Sequence, residues 1–582
     1  MRTLATALLD FYLREPERAA VILQHPDQPD LALPYRELVE RANDYAMAYA
    51  RAGIRPGDMV VLILPHGQEL VHAFWGAILL GAVPSMMSFL TEKLAPDRYQ
   101  EDMGALFSIS CPAAVVTYPE FEATCRQMIA AGRGAAPALL VAGGIPRQAR
   151  PDLSALPGLN RRETDIAVLQ HSSGSTGLQK GVALSHRAIF NQLDAMVQTL
   201  GLTRQDSIVS WLPLYHDMGL VACFLMPVLC GVPVIQMSPF DWVREPWRLP
   251  RAVSDYRATI AFMPNFAFHF CANKVREQDI AGADLSTWRL VISGGEPAKA
   301  RSLQMFHERF QAHGLRREAL QVGYGMAETV FAATATCDGS GRPPRVERID
   351  RRRFIAEHRA HPAEADRPCL EIVSCGRPLP NTRIRVVDNE GRELGERQVG
   401  EVVLQSDCLL SEYYRRPDLA GESFTPDGWF KSGDYGYISE GELFVAGRRK
   451  DMIIVAGKNV YPQDLEAIAG EVPGVHPGRT VAFGLYDEAH GTEVVAIVAE
   501  VDTEDEGERE RIAGEIRAHV TRNSAVAVRH VRAVGAKWVL KTSSGKVSRA
   551  ANKEKFIRES GPDQESLRRA DTWPNTSKPE NE

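Results

Sequence analysis

Short, continuous apolar runs, each followed by a turn and then a helical pattern, constrain this chain more than any other feature. "MVVLIL" (59–64) is apolar at every position, and "GQELVHAFWGAILLGAV" then returns to a helical period. A strand with no polar face must be covered on both sides, so such runs belong to a mostly parallel sheet packed between helices. The unit recurs in "AAVVTY", "ALLVAG", "SIVSWLP", "VPVIQM", "ATIAFMP" and "RLVISGGEP". Upstream, "YRELVERANDYAMAYARAG" places Leu38, Ala42, Tyr45, Ala46 and Tyr49 on one helical face.

The texture changes twice. After about Cys375, "TRIRVVDNEGREL", "GEVVLQS" and "GELFVAGR" read as hairpin-like β structure. From Lys450 to about Phe556, "DMIIVAG", "RTVAFGL" and "TEVVAIVAEV" alternate with helical pieces, as in a compact α+β domain. At 582 residues the chain exceeds a single core, so one large region and at least one smaller domain are expected. Residues 557–582 have few aliphatics and read as a disordered tail. The acidic run Glu504 to Glu510 reads as the exposed start of a helix.

Bulk charge excludes some partners. A formal net charge of -7 gives no electrostatic reason to expect nucleic acid or an anionic membrane. No apolar run is long enough to span a membrane, and the N-terminus, broken by Asp10, Arg14 and Glu15, reads as an amphipathic helix rather than a signal peptide. The nine cysteines are scattered and lack CxxC spacing, which disfavours disulfides and zinc and fits a reducing cytoplasm.

The segment "LQHSSGSTGLQKGVALSH" (169–186) joins a hydroxyl- and glycine-rich loop to a single lysine. It fails the Walker spacing, because Leu178 and Gln179 separate Gly177 from Lys180. Taken alone it is either a polar turn after a buried strand or a phosphate cradle with Lys180 as its charge. Six further segments follow in order: "SWLPLYHDMGL" (210–220), "SGGEP" (293–297), "GYGMAET" (323–329), "DGWFKSGDYG" (427–436), "GRRKDMIIVAGKNVYPQDLE" (447–466) and "KTSSGKVSR" (541–549). Singly, Glu328 reads as a helix-terminal acid, Lys546 as a surface lysine and Asp434 as a turn residue. Together, over nearly the whole chain, the seven resemble the adenylate-forming enzymes: acyl-CoA synthetases, peptide-synthetase adenylation domains and luciferases.

That resemblance implies an α/β fold: a large N-terminal domain (1–448) of doubly wound sheets plus a distorted β-barrel, and a small mobile α+β domain (449–556). It implies ATP and Mg²⁺ as cofactors, with attack of a carboxylate on the α-phosphate of ATP to give an acyl-adenylate and pyrophosphate. Lys546 is then the catalytic lysine between carboxylate and α-phosphate, Glu328 and Thr176 hold Mg²⁺, and His216 is a gate between nucleotide and acyl pockets. Gly294, Gly295, Glu296 and Pro297 line the adenine slot, with Gly323, Tyr324, Gly325, Met326 and Ala327 beside it and the Tyr324 ring on adenine. Asp434 accepts from ribose hydroxyls, and Arg448 contacts the nucleotide. Ser172, Ser173, Gly174, Ser175, Thr176, Gly177 and Lys180 cradle the β- and γ-phosphates, and Lys450 is the hinge.

Within the superfamily, "SWLPLYHDMGL", "NVYPQDLE" and Ala327 are similar to fatty acyl-AMP ligases, while "GYGMAET" departs from their more usual leucine form. The interval from Glu328 to Gly376 is compatible with the insertion that marks those ligases, here 338–372, which in the family restrains the C-terminal domain and disfavours coenzyme A. Its Arg351, Arg352 and Arg353 are interspersed with Glu347, Asp350 and Glu357 and read as a solvated helix rather than a nucleic-acid patch. The implied second step is acyl transfer to the phosphopantetheine thiol of an acyl carrier protein, supplied in trans because no carrier domain follows Phe556. "VACFLMPVLCG" and "FMPNFAFHF" either line the acyl pocket or are plain core. The alternatives are an acyl- or aryl-CoA synthetase and a catalytically silent nucleotide-binding relative.

Overall fold

The structure is a computed structural model that describes residues 2–90, 96–131, 136–147, 153, 156–172, 180–337, 339, 341–364, 369–455, 458–487, 492–524, 526–542 and 545–560. The apolar runs form two sheets. In one, four parallel strands lie in the order Val83–Met86, Met59–Leu62, Ala114–Thr117, Ala138–Val141. Alternate residues of the run 59–64 feed different cores: Val60, Leu62 and Leu64 join one, Met59, Val61 and Ile63 another. A strand covered on both faces needs an apolar residue at every position.

The second sheet has nine strands. Its parallel centre runs Leu320–Tyr324, Leu290–Ser293, Ile260–Met263, Ile208–Ser210, Val234–Met237, Ala19–Gln24, with antiparallel strands at both edges. From Ile208–Ser210 the chain winds to Val234–Met237 on one side and then crosses to Ile260–Met263 on the other. The loops leaving the carboxyl ends of the neighbours Ile208–Ser210 and Ile260–Met263, the latter leading on to Leu290–Ser293, therefore diverge, which opens a crevice where doubly wound sheets bind ligands.

Helix Tyr35–Arg51 buries Leu38, Ala42, Tyr45, Ala46 and Tyr49, the face read from the sequence. It packs on Gln68–Leu80 at Gly76, where a Cβ would lie 2.4 Å from Tyr45 Cβ and 2.7 Å from the Ala42 carbonyl. The N-terminal helix is Leu4–Arg14, capped by Thr3. Among the described residues no helix is long and apolar enough to cross a membrane, and all nine cysteines are free.

The strand-rich region forms a four-stranded antiparallel sheet, Thr382–Val387, Gly400–Ser406, Phe430–Ser439 and Glu442–Arg448. Beyond it, helices Pro462–Ala469, Glu506–Ser524 and Arg549–Glu559 surround the strands Val475–Asp487, Thr492–Val501 and Val528–Val534. Alternation again serves two cores: Val495, Ile497 and Ala499 face one, Ala496 and Val498 the other. The acidic run enters helix 506–524 at Glu506. Of the stretch read as a tail, residues 561–582 lie outside the described residues.

The arginine helix of the expected insertion differs from its reading. Arg351–Glu357 follows strand Val346–Asp350, which pairs with Cys369–Val373. On its outer face Arg353 pairs with Glu357. Phe354 is 1% exposed and packs on Tyr437 and Tyr461 (ring centroids 6.3 and 5.8 Å), and Arg351 donates to the carbonyls of Asn523 (2.7 Å) and Cys369 (3.2 Å). The helix is thus solvated on its outer face and forms, on its inner face, a seam between this segment and the C-terminal region.

Candidate active site

Three of the seven motifs, and the apolar stretch "FMPNFAFHF", converge at the carboxyl ends of four adjacent parallel strands. Ser210 leads into Trp211–Asp217, Met263 into Pro264–Phe266, Ser293 into Gly294–Pro297, and Tyr324 into Gly325–Glu328. Gly295 is left-handed (φ +77°), a conformation glycine adopts without steric cost. At Gly325 a Cβ would lie 1.8 Å from the Phe331 carbonyl, so the turn closes only with glycine. Glu296 does not reach into the crevice: its carboxylate accepts the Phe266 N–H (2.6 Å) and ties two of the loops together, and burial raises its pKa.

Asp434 and Arg448 face each other across antiparallel strands. One Asp434 oxygen accepts from the Tyr324 hydroxyl (2.8 Å) and the other lies 3.3 Å from Arg448 Nε. Burial pushes the Asp434 pKa up, and Arg448 and Tyr324 pull it back. A carboxylate has about four acceptor positions, so capacity for further donors remains.

Glu328 sits in a single helical turn, Ala327–Thr329. The next residue, the fully buried Val330, has φ +63° and ψ −51°, and the Phe331 N–H donates to the Thr329 carbonyl (2.7 Å). This is a γ-turn strained for a β-branched side chain, and such strain persists only where the surroundings fix the backbone. Here the Leu410 N–H donates to the Glu328 carbonyl (2.8 Å). The Glu328 side chain accepts from Tyr413 (2.9 Å), whose ring lies 5.2 Å from Lys180 Nζ. Burial raises the Glu328 pKa, opposed by the Tyr413 hydrogen bond and the more distant Arg448.

Lys546 comes from the C-terminal region. A Cβ on Gly295 would lie 3.6 Å from its Nζ, and one on Gly545 3.6 Å from Phe266, so the loop sits over the crevice mouth. His216 and Asp217 feel the lysine charge. Burial, reinforced by Lys546, pushes the His216 pKa down to about 3, and its buried Nε2 has no hydrogen-bond partner among the described residues. Burial raises the pKa of Asp217, and Lys546 opposes it.

The structure brings together His216, Gly294–Pro297, Gly323–Glu328, Asp434, Arg448, Lys180 and Lys546. Lys450 lies just beyond Arg448 in the turn Arg449–Asp451. Ser173, Gly174, Ser175, Thr176 and Gly177 lie outside the described residues; for Ser172 only the backbone is described, paired with Lys180 in a hairpin. "VACFLMPVLCG" is apolar core apart from the half-buried Cys230, with Met218–Leu225 wound as a π-helix. Of "FMPNFAFHF", Phe268 is buried core while Phe266 borders the lysine loop. Sequence reasoning missed Tyr413, and it sets aside a His216–Asp217 dyad because no G-x-S-x-G elbow accompanies the pair. Asp217 lay inside a quoted motif, but nothing in "LLSEYYRRP" singles out Tyr413, whose place follows from its pairing with Val182.

A sheet that switches direction at a crevice, closed by a lysine from a second region, is the layout of an adenylate-forming enzyme. The profile of the AMP-binding enzyme family matches residues 11–414, more than half of the chain, and the chain belongs to that family. A putative acyl-CoA synthetase of Caulobacter vibrioides (strain NA1000 / CB15N) is 32% identical over 531 residues, 90% of each chain. The medium-chain-fatty-acid–(acyl-carrier-protein) ligase JamA of Moorena producens (strain JHB) is 28% identical over 573 residues, 94% of this chain and 93% of its own. A solved structure from a study of fatty acyl-adenylate ligases of E. coli and L. pneumophila is similar with TM-score 0.86 and 29% identity, over 96% of this chain and 98% of that one.

Proposed function

We propose that the chain is a fatty acyl-AMP ligase. It activates a fatty or related carboxylic acid with ATP, releases pyrophosphate, and passes the acyl group to the phosphopantetheine thiol of a separate acyl carrier protein. The observation that carries this reading is the position of Lys546 beside Gly295, next to His216 and Asp217. A carboxylate and an α-phosphate repel each other. A cation held between them offsets that repulsion and stabilises the charge that builds around phosphorus.

In this reading Tyr324 packs on adenine, Gly294, Gly295, Pro297 and Gly323–Ala327 shape its slot, and Asp434 receives the ribose hydroxyls. Arg448 contacts the nucleotide, and Ser172–Gly177 with Lys180 hold the phosphates that leave. His216 is uncharged at neutral pH, so it can border both nucleotide and acyl chain without repelling Lys546. Glu328 fits a Mg²⁺ site: it is an oxygen donor with no ion-pair partner among the described residues, where no cluster of three metal-binding side chains occurs. Mg²⁺ commonly takes one or two carboxylates and fills the rest with phosphates and water. Glu328 and Thr176 would hold it, and when bound it neutralises charge on the phosphates. Dependence on ATP and the unpaired cysteines support a cytoplasmic location.

The carrier protein as acceptor is supported by the seam of Arg351 and Phe354, which ties the insertion to the C-terminal region, and by the likeness to JamA. The name of the Caulobacter relative favours a second reading, an acyl-CoA synthetase with the same first step. Incubation with ATP, a panel of fatty acids, and either coenzyme A or holo carrier protein separates them. Accumulation of acyl-AMP with transfer only to the carrier is expected; rapid acyl-CoA formation would overturn the carrier reading.

A further inference from the structure

The polypeptide changes allegiance within a few residues. Arg448 pairs with Asp434 and Arg449 with Glu401 (3.2 Å), and both carboxylates belong to the four-stranded antiparallel sheet. Two residues on, Asp451 accepts instead from Arg549 NH1 (2.8 Å), the first residue of helix Arg549–Glu559. Lys450 stands between the two. A change in its backbone angles leaves both sets of ion pairs intact.

Arg549 is committed on its other nitrogens as well. Nε and NH2 donate to the two oxygens of Glu466 (3.0 and 2.7 Å), and Glu466 also accepts the Ala482 N–H (3.0 Å). Arg549, Glu466 and Asp451 are only 23%, 16% and 20% exposed. A two-pronged arginine–carboxylate pair fixes direction as well as distance. Lys546 lies three residues upstream of this fork. The base of its loop is closed by the fully buried Asn552, which donates to the carbonyls of Leu540 (2.9 Å) and Ser548 (2.7 Å) and accepts the Leu540 N–H (2.8 Å). Within the loop, the Thr542 N–H donates to the Lys546 carbonyl (2.7 Å) and the Gly545 N–H to that of Thr542 (2.8 Å).

We infer that Arg549 is the positioning residue for Lys546: its fork joins Asp451, helix Pro462–Ala469 and the lysine loop into one body that turns about Lys450. The inference rests on the adenylating role of Lys546 and the pivot at Lys450 in the reading above. A lysine has a flexible stem, and misplacing a reacting group by about 1 Å costs on the order of 100-fold in rate. The fork removes that freedom at the loop, so Lys546 arrives at Gly295, or leaves it, as part of a rigid piece.

The test uses the full chain with dodecanoate as probe acid, in the wild type and in Arg549→Gln, Arg549→Lys and Asp451→Ala. Asp451→Ala cuts only the link to the pivot and leaves the Glu466 fork in place. Measured are dodecanoate-dependent exchange of pyrophosphate into ATP, thiolysis of supplied dodecanoyl-adenylate by pantetheine, and the thermal midpoint. Arg549→Gln is expected to lower exchange kcat roughly 10- to 100-fold with ATP KM within about twofold and thiolysis retained. Arg549→Lys keeps the charge without the fork and is expected to recover part of the rate, and Asp451→Ala to fall between wild type and Arg549→Gln. Full exchange in Arg549→Gln overturns the inference, as does a loss shared equally by thiolysis and the thermal midpoint, which marks a purely structural role. A wild type without carboxylate-dependent exchange on any acid of the panel overturns the adenylation reading itself, and the inference with it.

Discussion

Tyr413 serves two charges at once: its hydroxyl donates to Glu328 and its ring lies beneath Lys180. Tyr413→Phe keeps the ring and removes the donor. Burial already raises the Glu328 pKa and this hydrogen bond opposes the rise, so the variant's pKa goes higher still. Activity that needs the ionised carboxylate is lost as pH falls through that pKa, so the acid limb of the pH–rate profile is expected to move to higher pH, with more Mg²⁺ needed for half-maximal rate. The lost hydrogen bond costs about 1 kcal/mol in chemical denaturation. An unmoved acid limb would contradict the role given to Tyr413. The sequence displayed Glu328, Asp434 and Lys546 because each stands in a motif whose glycines and neighbours are unusual. Tyr413 was invisible, because its place depends on a two-residue strand pairing with Val182 and Ala183.

Among the elements, helix Pro462–Ala469 carries an acid against its environment. Asp464 lines a cavity of about 50 Å³ between Pro297–Lys299, the strand Cys369–Val373 and its own helix, and its Oδ2 has no hydrogen-bond partner among the described residues. Burial, assisted by Glu466 and opposed by Lys299 and Arg351, raises its pKa from 3.8 to about 6. Between those values the folded state holds a proton that the unfolded chain has lost, so stability falls as pH rises through that window, and the loss is complete above it. Asp464→Asn is expected to flatten that slope and to stabilise the protein at pH 7.5 by about 1–3 kcal/mol. Denaturant titrations across pH check it. Phe354→Ala empties the seam against Tyr437 and Tyr461, at a cost of about 3–5 kcal/mol, and is expected to raise turnover with coenzyme A relative to carrier protein. The strands were legible because a run buried on both faces is apolar throughout. The arginine helix was legible only in part: Arg353 marks its solvent side, whereas its packing rests on Phe354 and on Arg351, whose partner Asn523 lies far along the chain.

At the scale of the molecule, the large region supplies the crevice and the smaller one the lysine, and the exposed residues Arg448–Lys450 join them. Exposed basic backbone of this kind is a preferred point of tryptic cleavage. Trypsin is therefore expected to cut there first, and ATP with an accepted acid to slow the cut by holding Lys546 over Gly295; equal rates with and without substrates would contradict a closed, loaded state. The seven motifs made the site legible from the sequence because their residue types and order together resemble one family, although each alone reads as an ordinary turn or strand. The meeting of Lys546 with Gly295 was not, because no local pattern says where a separate region docks. The most direct test of the account is carboxylate-dependent exchange of pyrophosphate into ATP, measured on the wild type and on Lys546→Ala. Exchange in the wild type, and its fall by two or more orders of magnitude in the variant, is expected if the lysine stabilises the transferring phosphate. Exchange at the wild-type rate in Lys546→Ala would contradict it.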